Sequence, residues 1–260
     1  LNEDVDGKID YQIFGTMQEN KPMISKVAIL NSKGNDFTVM VSQCDIVICD
    51  ISQDKNQFEE TKAILKFFEE HLEVGIEFNL TLILISTIMT WARTPKSIDE
   101  TLTDRNYRKR RPHPCFNQHL LIERRTLNLQ KKFKDSIKSF VVCSGIIYGQ
   151  EQDIFHYIFK RCYFNHPQVE IFLPGSNYLP LIYINDFARF ILHVITKSLN
   201  DSTNYLLAIQ PTALTAKNVV NIFAEAMGGS EMRVRICEKE EIFLMNEDDM
   251  SVSITVRIKL

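Results

Sequence analysis

Two hydroxyl side chains, Ser86 and Thr87, stand where an apolar run of the chain stops. The run at positions 80–85 is rich in Leu and Ile, which predicts a strand covered on both faces as in parallel sheets. Ligands of open α/β proteins bind outside the carboxyl ends of such strands. Ser86 is therefore the first candidate for chemistry. Its alternative role is structural, as a capping or hydrogen-bonding group at a strand end.

A basic segment supplies the second group of candidates. Its five cations within seven residues are Arg105, Arg108, Lys109, Arg110 and Arg111. Across the longer stretch 105–134 there are ten Lys or Arg and one acid. Such density can bind acidic protein surfaces, nucleotides or nucleic acid, or can form a solvated face. We interpret the five cations as partner-binding candidates and disfavour nucleic acid, because no recognised binding module accompanies them.

The elements that must position these residues alternate between strands and helices. Strands are predicted at 11–15, 26–31, 45–50, 80–86 and 139–147. The alternation predicts right-handed βαβ units and a Rossmann-like, doubly wound parallel sheet. After position 150 the pattern predicts a smaller carboxyl-terminal lobe. We therefore divide the chain into a dinucleotide-binding-like domain at 1–150 and a substrate-lobe-like region at 151–260.

Composition excludes several classes of protein. A net charge of −3, with 45% hydrophobic and 24% charged residues, is ordinary for a globular domain. The longest apolar run, of about ten residues, is too short to cross a bilayer, so we expect no membrane partner. Six cysteines without CxxC spacing predict neither a metal site nor a disulfide framework. The chain begins at Leu1 and ends within a patterned stretch, so we expect it to be part of a longer protein.

Five segments, in order along the chain, resemble landmarks of the extended short-chain dehydrogenase/epimerase family. They are DIVICDIS at 45–52, LILISTIMTWA at 82–92, IIYGQ at 146–150, LIYINDFARFILHVI at 181–195 and NYLLAIQPTALTAKNVVNIFAEAMG at 204–228. The resemblance implies a fold that binds NAD(P) and places Ser86 where the family has its catalytic serine. It also implies that Asp186 caps the helix that follows it.

The sequence departs from this family in its cofactor loop. A dinucleotide-binding domain opens with a strand and a Gly-rich turn whose backbone amides approach the pyrophosphate. Neither GxGxxG nor GxxGxxG occurs in this chain. Because the strand at 11–15 resembles the family's second strand, we expect the first strand and its turn to be missing or upstream. No cofactor-binding residue is therefore expected here.

The family's catalytic pair is also altered. The family uses Tyr-x-x-x-Lys, in which the lysine lowers the pKa of the tyrosine so that its phenolate takes a proton. Those positions fall on Cys115 and His119. A displaced pair, Tyr107 with Arg111, keeps the spacing but precedes the helix. We interpret Ser86, Cys115 and His119 as relic positions and expect no catalytic residue and no metal ligand.

A closer resemblance rests on STIMTWAR at 86–93 and YRKRRPHPCF at 107–116, which are not general features of epimerases. With YQIFGT at 11–16, they are similar to the amino-terminal, dehydrogenase-like domain of a ciliary and flagellar member of the adenylate kinase family. The resemblance implies a cytoplasmic, cytoskeletal protein of the axoneme whose partners are axonemal, such as radial-spoke or microtubule-associated proteins. Since no GxxxxGK loop occurs here, ATP and AMP would bind a downstream domain.

Two functions follow from these observations. The first is a non-catalytic scaffold or docking domain of the axoneme, which needs no cofactor in this region. The second is an active NAD(P)-dependent epimerase or reductase whose cofactor loop lies upstream of this chain. An upstream strand, GxxGxxG turn and helix in the full-length protein would favour the second.

Overall fold

The chain folds as strands that alternate with helices. This computed structural model describes residues 2–3, 9–16, 27–30, 37–52, 56–95, 102–150, 154–172, 175–197, 204–227 and 233–237. The strands are β1 (Asn2–Glu3), β2 (Ile9–Asp10), β3 (Ile13–Thr16), β4 (Val27–Leu30), β5 (Ile46–Asp50), β6 (Thr81–Thr87), β7 (Lys138–Ser144), β8 (Ile146–Tyr148), β9 (Gln168–Phe172), β10 (Tyr178–Leu179), β11 (Leu181–Tyr183), β12 (Tyr205–Ala208), β13 (Leu214–Thr215) and β14 (Arg233–Cys237). The helices are α1 (Phe37–Ser42), α2 (Asn56–Glu73), α3 (Asn117–Lys132), α4 (His156–Tyr163), α5 (Ile184–Thr196) and α6 (Ala216–Ala226), and short 3-10 helices cover Ile88–Trp91, Asp104–Lys109 and Pro114–Phe116.

The central sheet contains four parallel strands in the order β12-β7-β6-β5. The register places Ser86, at the end of β6, beside Cys143 of β7. Both β6 and β7 are buried along nearly their whole length because helices cover both faces of the sheet. The predicted parallel α/β fold is confirmed, and three of the five predicted strands form this sheet.

Gly145 divides the predicted strand at 139–147 into β7 and β8. Its N–H donates to the carbonyl of Ala208, whereas the next N–H, of Ile146, donates to the carbonyl of Pro180. A side chain at position 145 would collide with that Pro180 carbonyl, so the chain can change partners only at glycine. Beyond it, β8 pairs in parallel with β11 in a second small sheet.

The predicted strands at 11–15 and 26–31 form, but the expectation that they join the central sheet is wrong. β3 and β4 pair with each other, in parallel, as a separate two-stranded sheet. Thr16 Oγ1 donates to Glu60 Oε2 at 2.9 Å, which ties the end of β3 to the amino-terminal part of α2. An apolar pattern specifies an extended segment but not its hydrogen-bonding neighbour, which explains the error.

Two apolar cores cover the two faces of the central sheet. On one face, α1, α2 and α3 pack against side chains such as Leu82, Leu84 and Val141. On the other face, α5 packs against the alternate side chains Ile83 and Val142. The cores therefore follow the two-residue period of the strands.

A third core lies among α4, β9 and α6, around Val169 and Val220. The further small sheets pair β9 with β14 in parallel, and pair β10 with β13 and β1 with β2 antiparallel. Asp186 does not cap α5, since the helix begins at Ile184 with Tyr183 as its N-cap. It lies in the first turn and pairs with Arg189 at 3.3 Å. The division of the chain at position 150 stays a prediction.

Candidate functional site

The hydroxyl of Ser86 lies at the carboxyl edge of the central sheet, as predicted, but it faces the protein interior. Its Oγ donates to Glu123 Oε1 at 2.6 Å, and the residue is fully buried. The next residue, Thr87, caps the short helix Ile88–Trp91, since its Oγ1 accepts from the N–H of Met89 at 3.4 Å. Ser86 therefore forms a hydrogen bond at a strand end, and its structural role stays a prediction.

Glu123 reaches this position from the buried face of α3, where its side chain is wholly removed from solvent. Besides the bond from Ser86, its Oε2 accepts from Arg110 Nε at 2.8 Å. Arg110 Nη2 lies 2.8 Å from the same oxygen. Burial raises the pKa of Glu123, while Arg110 and the hydroxyls of Ser86 and Thr90 act in the opposite direction. Both oxygens of the carboxyl group thus accept hydrogen bonds.

Arg110 enters the core from the segment that follows the helix Asp104–Lys109. Its Nη1 donates to the carbonyl of Tyr107, and its guanidinium lies 4.7 Å from the ring centroid of Tyr205. The rings of Tyr107 and Tyr205 stack at 5.1 Å with an interplanar angle of 12°. Only 3% of the Arg110 side chain is exposed. The prediction that Arg110 contacts a partner is therefore corrected, because this guanidinium neutralises Glu123 inside the fold.

Trp91 and Tyr205 complete the cluster. Trp91 Nε1 donates to the Tyr205 hydroxyl at 2.7 Å, and both residues are buried. Burial also raises the pKa of Tyr205 well above its ordinary value and that of the neighbouring Cys143 thiol to about 12. Neither group is therefore a base near neutral pH. We call Ser86, Trp91, Arg110, Glu123 and Tyr205 the carboxyl-edge cluster.

Cys115 and His119 do not join this cluster through any hydrogen bond among the described residues. Cys115 is exposed in the helix Pro114–Phe116. His119 packs its ring edge-to-face against Phe58, with centroids 4.6 Å apart. Burial lowers the pKa of His119 to about 4, opposed by a hydrogen bond with the backbone of Ile51. The expected relic positions are thus spread over separate environments.

The displaced pair is not assembled through hydrogen bonds that the structure describes. The Tyr107 hydroxyl accepts from Arg108 Nε at 3.2 Å, rather than from Arg111. The backbone of Arg111 instead forms two bonds with the segment after Trp91. Its N–H donates to Thr94 Oγ1 and its carbonyl accepts from the N–H of Arg93, both at 2.9 Å. Arg111 is therefore held next to Arg93 and away from a catalytic geometry.

The remaining cations of the basic segment are exposed. Arg105, Arg108, Lys109 and Arg111 all lie at the surface, and Arg93 stands beside Arg111. We call these five residues the cationic rim. Their role in binding a partner stays a prediction.

Part of the longer basic stretch is explained by packing between α2 and α3. Arg125 pairs with Glu69 through two bonds of 2.8 and 2.6 Å, and Lys132 pairs with Glu73 at 2.6 Å. These pairs account for two cations of the longer basic stretch, whereas Arg124, Lys131 and Lys134 are exposed like the cationic rim.

The partners of Ser86 were not predicted from the sequence. Glu123 could have been recognised as a buried carboxylate, because it lies on the buried face of α3 together with Ile122 and Thr126. A carboxylate on a buried helix face requires a cation or a proton. The sequence does not show which cation pairs with Glu123, since Arg110 is one of five cations that lie together there.

The described residues also bear on membrane spanning and metal binding. No helix among them is long and apolar enough to cross a bilayer. Within the same residues, no three His, Cys, Asp or Glu side chains gather in a way that could hold a metal ion.

Comparison with curated proteins identifies one relationship. The chain is homologous to adenylate kinase 7 of Mus musculus, with 30% identity over 210 residues, which is 79% of this chain and 33% of that protein. Adenylate kinase 7 of Macaca fascicularis is 27% identical over 96 residues, which is 36% of this chain and 18% of that protein. The chain thus spans about a third of the length of the mouse relative. The closer resemblance expected from the sequence is confirmed, while no family model matches the chain.

Comparison with solved structures identifies the fold. UDP-glucuronic acid 4-epimerase from Bacillus cereus, in complex with UDP-glucuronic acid and NAD, has a TM-score of 0.61 at 16% identity, covering 83% of this chain and 70% of that one. dTDP-glucose 4,6-dehydratase from Bacillus anthracis, in complex with NAD, has a TM-score of 0.64 at 11% identity, covering 82% and 68%. These similarities confirm the Rossmann-type, epimerase-like fold.

Proposed function

We propose that this region is a non-catalytic, dehydrogenase-like scaffold domain that docks in the ciliary axoneme as part of an adenylate-kinase-like protein. The carboxyl-edge cluster is the observation that carries the proposal. Ser86 is fully buried and its proton is committed to Glu123 at 2.6 Å. A general acid or base must reach the reacting group of a substrate, and this hydroxyl reaches only a buried carboxyl group.

No group of the cluster is free to act as a base toward a substrate. Tyr205 and Cys143 keep their protons near neutral pH because burial raises the pKa of both. Glu123 is bonded by Ser86 and Arg110. These contacts support a structural role, in which a polar cluster fixes the end of β6, the start of β12 and the middle of α3 relative to one another.

The cationic rim supports the docking part of the proposal. Exposed charges contribute little to a domain's own stability, within about 1 kcal/mol for a typical pair, and neighbouring cations repel one another. Opposite an acidic surface they would speed encounter and fix orientation, with a marked dependence on salt. We therefore propose an acidic axonemal partner, such as a radial-spoke or microtubule-associated protein, and assign ATP and AMP chemistry to a downstream domain.

Retention in salt-washed axonemes tests this function. In the test variant, Arg105, Arg108, Lys109 and Arg111 of the full-length protein become Ser, and Arg110 is kept because it neutralises Glu123. The matched control replaces four other exposed cations, Arg124, Lys131, Lys134 and Lys138, with Ser. We expect the test variant to leave the axoneme at lower NaCl than the control. Equal retention of the two variants would contradict the proposal.

The alternative function is an active NAD(P)-dependent epimerase or reductase. It is favoured by the similarity to solved structures that contain NAD. Titration of the purified full-length protein with NADH, followed by fluorescence, separates the two functions. We expect no saturable signal, and saturable binding at micromolar NADH would favour the alternative.

A further inference from the structure

The central sheet ends at β12, and among the described residues no strand pairs with its outer edge. The carbonyls of Asn204 and Ala208 accept from Val141 and Gly145 on the β7 side. Since successive residues of a strand point their backbone groups in alternate directions, the N–H and C=O of Leu207 face outward. In the part of the chain that the structure describes, these two groups have no hydrogen-bond partner. The edge can therefore accept a further strand.

An apolar groove of about 420 Å³ follows this edge. Leu207 and Ile209 line it and pack against one core of the sheet, as does Leu102 on the groove wall. Leu206 and Phe190 line it from the opposite core. The edge of β12 thus forms the floor of the groove, and residues of the apolar core on each face of the sheet form its two walls. A strand added there would place its alternate side chains against the two walls in turn.

The helix Asp104–Lys109, which carries Arg105, Arg108 and Lys109 of the cationic rim, borders one end of this groove. Tyr107 and Arg110 pack on the ring of Tyr205, which holds the helix Asp104–Lys109 against the start of β12. Asp104 is the acid that lines the groove, and its carboxylate accepts from the backbone N–H of Arg105 at 2.8 Å. The groove therefore combines apolar walls with neighbouring positive charge.

We propose that β12 is a strand-addition site, which takes an extended, acidic and apolar segment of the partner protein as a fifth strand of the central sheet. The inference rests on the proposed docking function and names the chemistry of the partner. Main-chain bonds to Leu207 would supply affinity, the groove walls would select apolar side chains, and Asp or Glu would face the rim. A second copy of this chain fits less well, because pairing through the same edge would bring two cationic rims to one sheet.

Fluorescence anisotropy with a synthetic peptide tests the inference. The probe is fluorescein-labelled EDEVTVIVTG, and the comparison peptide has the same sequence with N-methyl groups at alternate residues. N-methylation removes the main-chain donors and keeps the side chains, so we expect affinity to fall by about tenfold or more. A lysine version, KKKVTVIVTG, should also bind more weakly, by a margin that shrinks as salt is raised. Equal binding of the parent and N-methylated peptides would overturn the proposal.

A protein variant provides the reciprocal measurement. Leu207→Pro removes the N–H that faces outward and leaves every N–H donor to β7 in place. Proline is tolerated at such edge positions. We expect it to unfold cooperatively like the parent and to bind the peptide about tenfold more weakly. If it folds and keeps full affinity, strand addition at β12 is refuted.

Axoneme retention separates this inference from the proposed function. We expect both Leu207→Pro and the rim variant to be released at lower salt than the parent. If only the rim variant is released, the docking function stands and strand addition is wrong. If the peptide results hold and neither variant is released, the β12 site stands and axonemal docking through the rim is wrong.

Discussion

Replacing Arg110 with Met should destabilise the domain by about 3–5 kcal/mol at pH 8, because it leaves a buried carboxylate without its cation. The Glu123 side chain is fully buried and lies 2.8 Å from the guanidinium, so no solvent can replace the lost partner. Replacing Glu123 with Leu should cost a similar amount, because the guanidinium then keeps only the carbonyl of Tyr107 and two aromatic rings.

The two variants should respond differently to pH. Burial already raises the pKa of Glu123, and removing the cation raises it further. In the folded Arg110→Met variant, Glu123 can therefore take up a proton as the pH falls. The loss of unfolding free energy relative to the parent should then shrink between pH 8 and pH 5. Glu123→Leu has no carboxyl group to protonate and Arg110 stays charged throughout this range, so the cost of this variant should not shrink as the pH falls.

The double variant completes the cycle. Arg110→Met with Glu123→Leu removes both charges and preserves apolar volume, so we expect a loss of only about 1–2 kcal/mol, from the unbonded hydroxyl of Ser86. Trp91, the single tryptophan of the chain, is buried within the cluster and reports unfolding in urea by fluorescence. Free energies are comparable between variants as long as the denaturant slope m is unchanged.

The outcome that refutes this reasoning is additivity. If the double variant loses the sum of the two single losses, Arg110 and Glu123 are not coupled in the folded protein. Equal pH dependence of the two single variants would also contradict the expected protonation of the unpaired carboxyl group.

Two further predictions concern stability. Gly149→Ala should lower the free energy of unfolding by more than about 2 kcal/mol, because Gly149 has a φ of 93° and a side chain there would collide with the ring of Tyr183. The matched control is Gly75→Ala, since Gly75 has a φ of 85° and open space around it. This control should lose about 1 kcal/mol, measured by thermal unfolding. Equal costs would mean that the collision is relieved by movement of Tyr183. Because burial lowers the pKa of His119 to about 4, the unfolded chain takes up a proton at higher pH than the folded one. Stability should therefore fall as the pH drops from 6.5 toward 4, by up to about 2 kcal/mol in urea titrations, and His119→Phe should lack this component.

The sequence was sufficient for features that depend on local pattern. The continuous apolar run at 80–85 predicted a two-sided buried strand, and β6 is that strand. Its end placed Ser86 at the carboxyl edge of the sheet.

Features that depend on pairing between distant segments could not be predicted. The partner of β3 is β4 rather than the central sheet, and the pattern of each strand is compatible with either arrangement. Arg110 and Glu123 are 13 residues apart, and the four neighbouring cations of Arg110 have the same charge. Only the packing of the segment 102–111 against Tyr205 distinguishes the buried guanidinium from the exposed ones.

Gly145 has a mechanical consequence for the fold. The backbone there passes directly from the ladder with β12 to the ladder with β11, without an intervening loop. Tension applied to the chain beyond β8 is therefore transmitted along the axis of β7, between two parallel neighbours. Separating β7 requires several hydrogen bonds to break together in shear, whereas a hairpin pulled from its open end yields one bond at a time. Because forced unfolding is governed by the unfolding rate, this junction favours slow rupture under load.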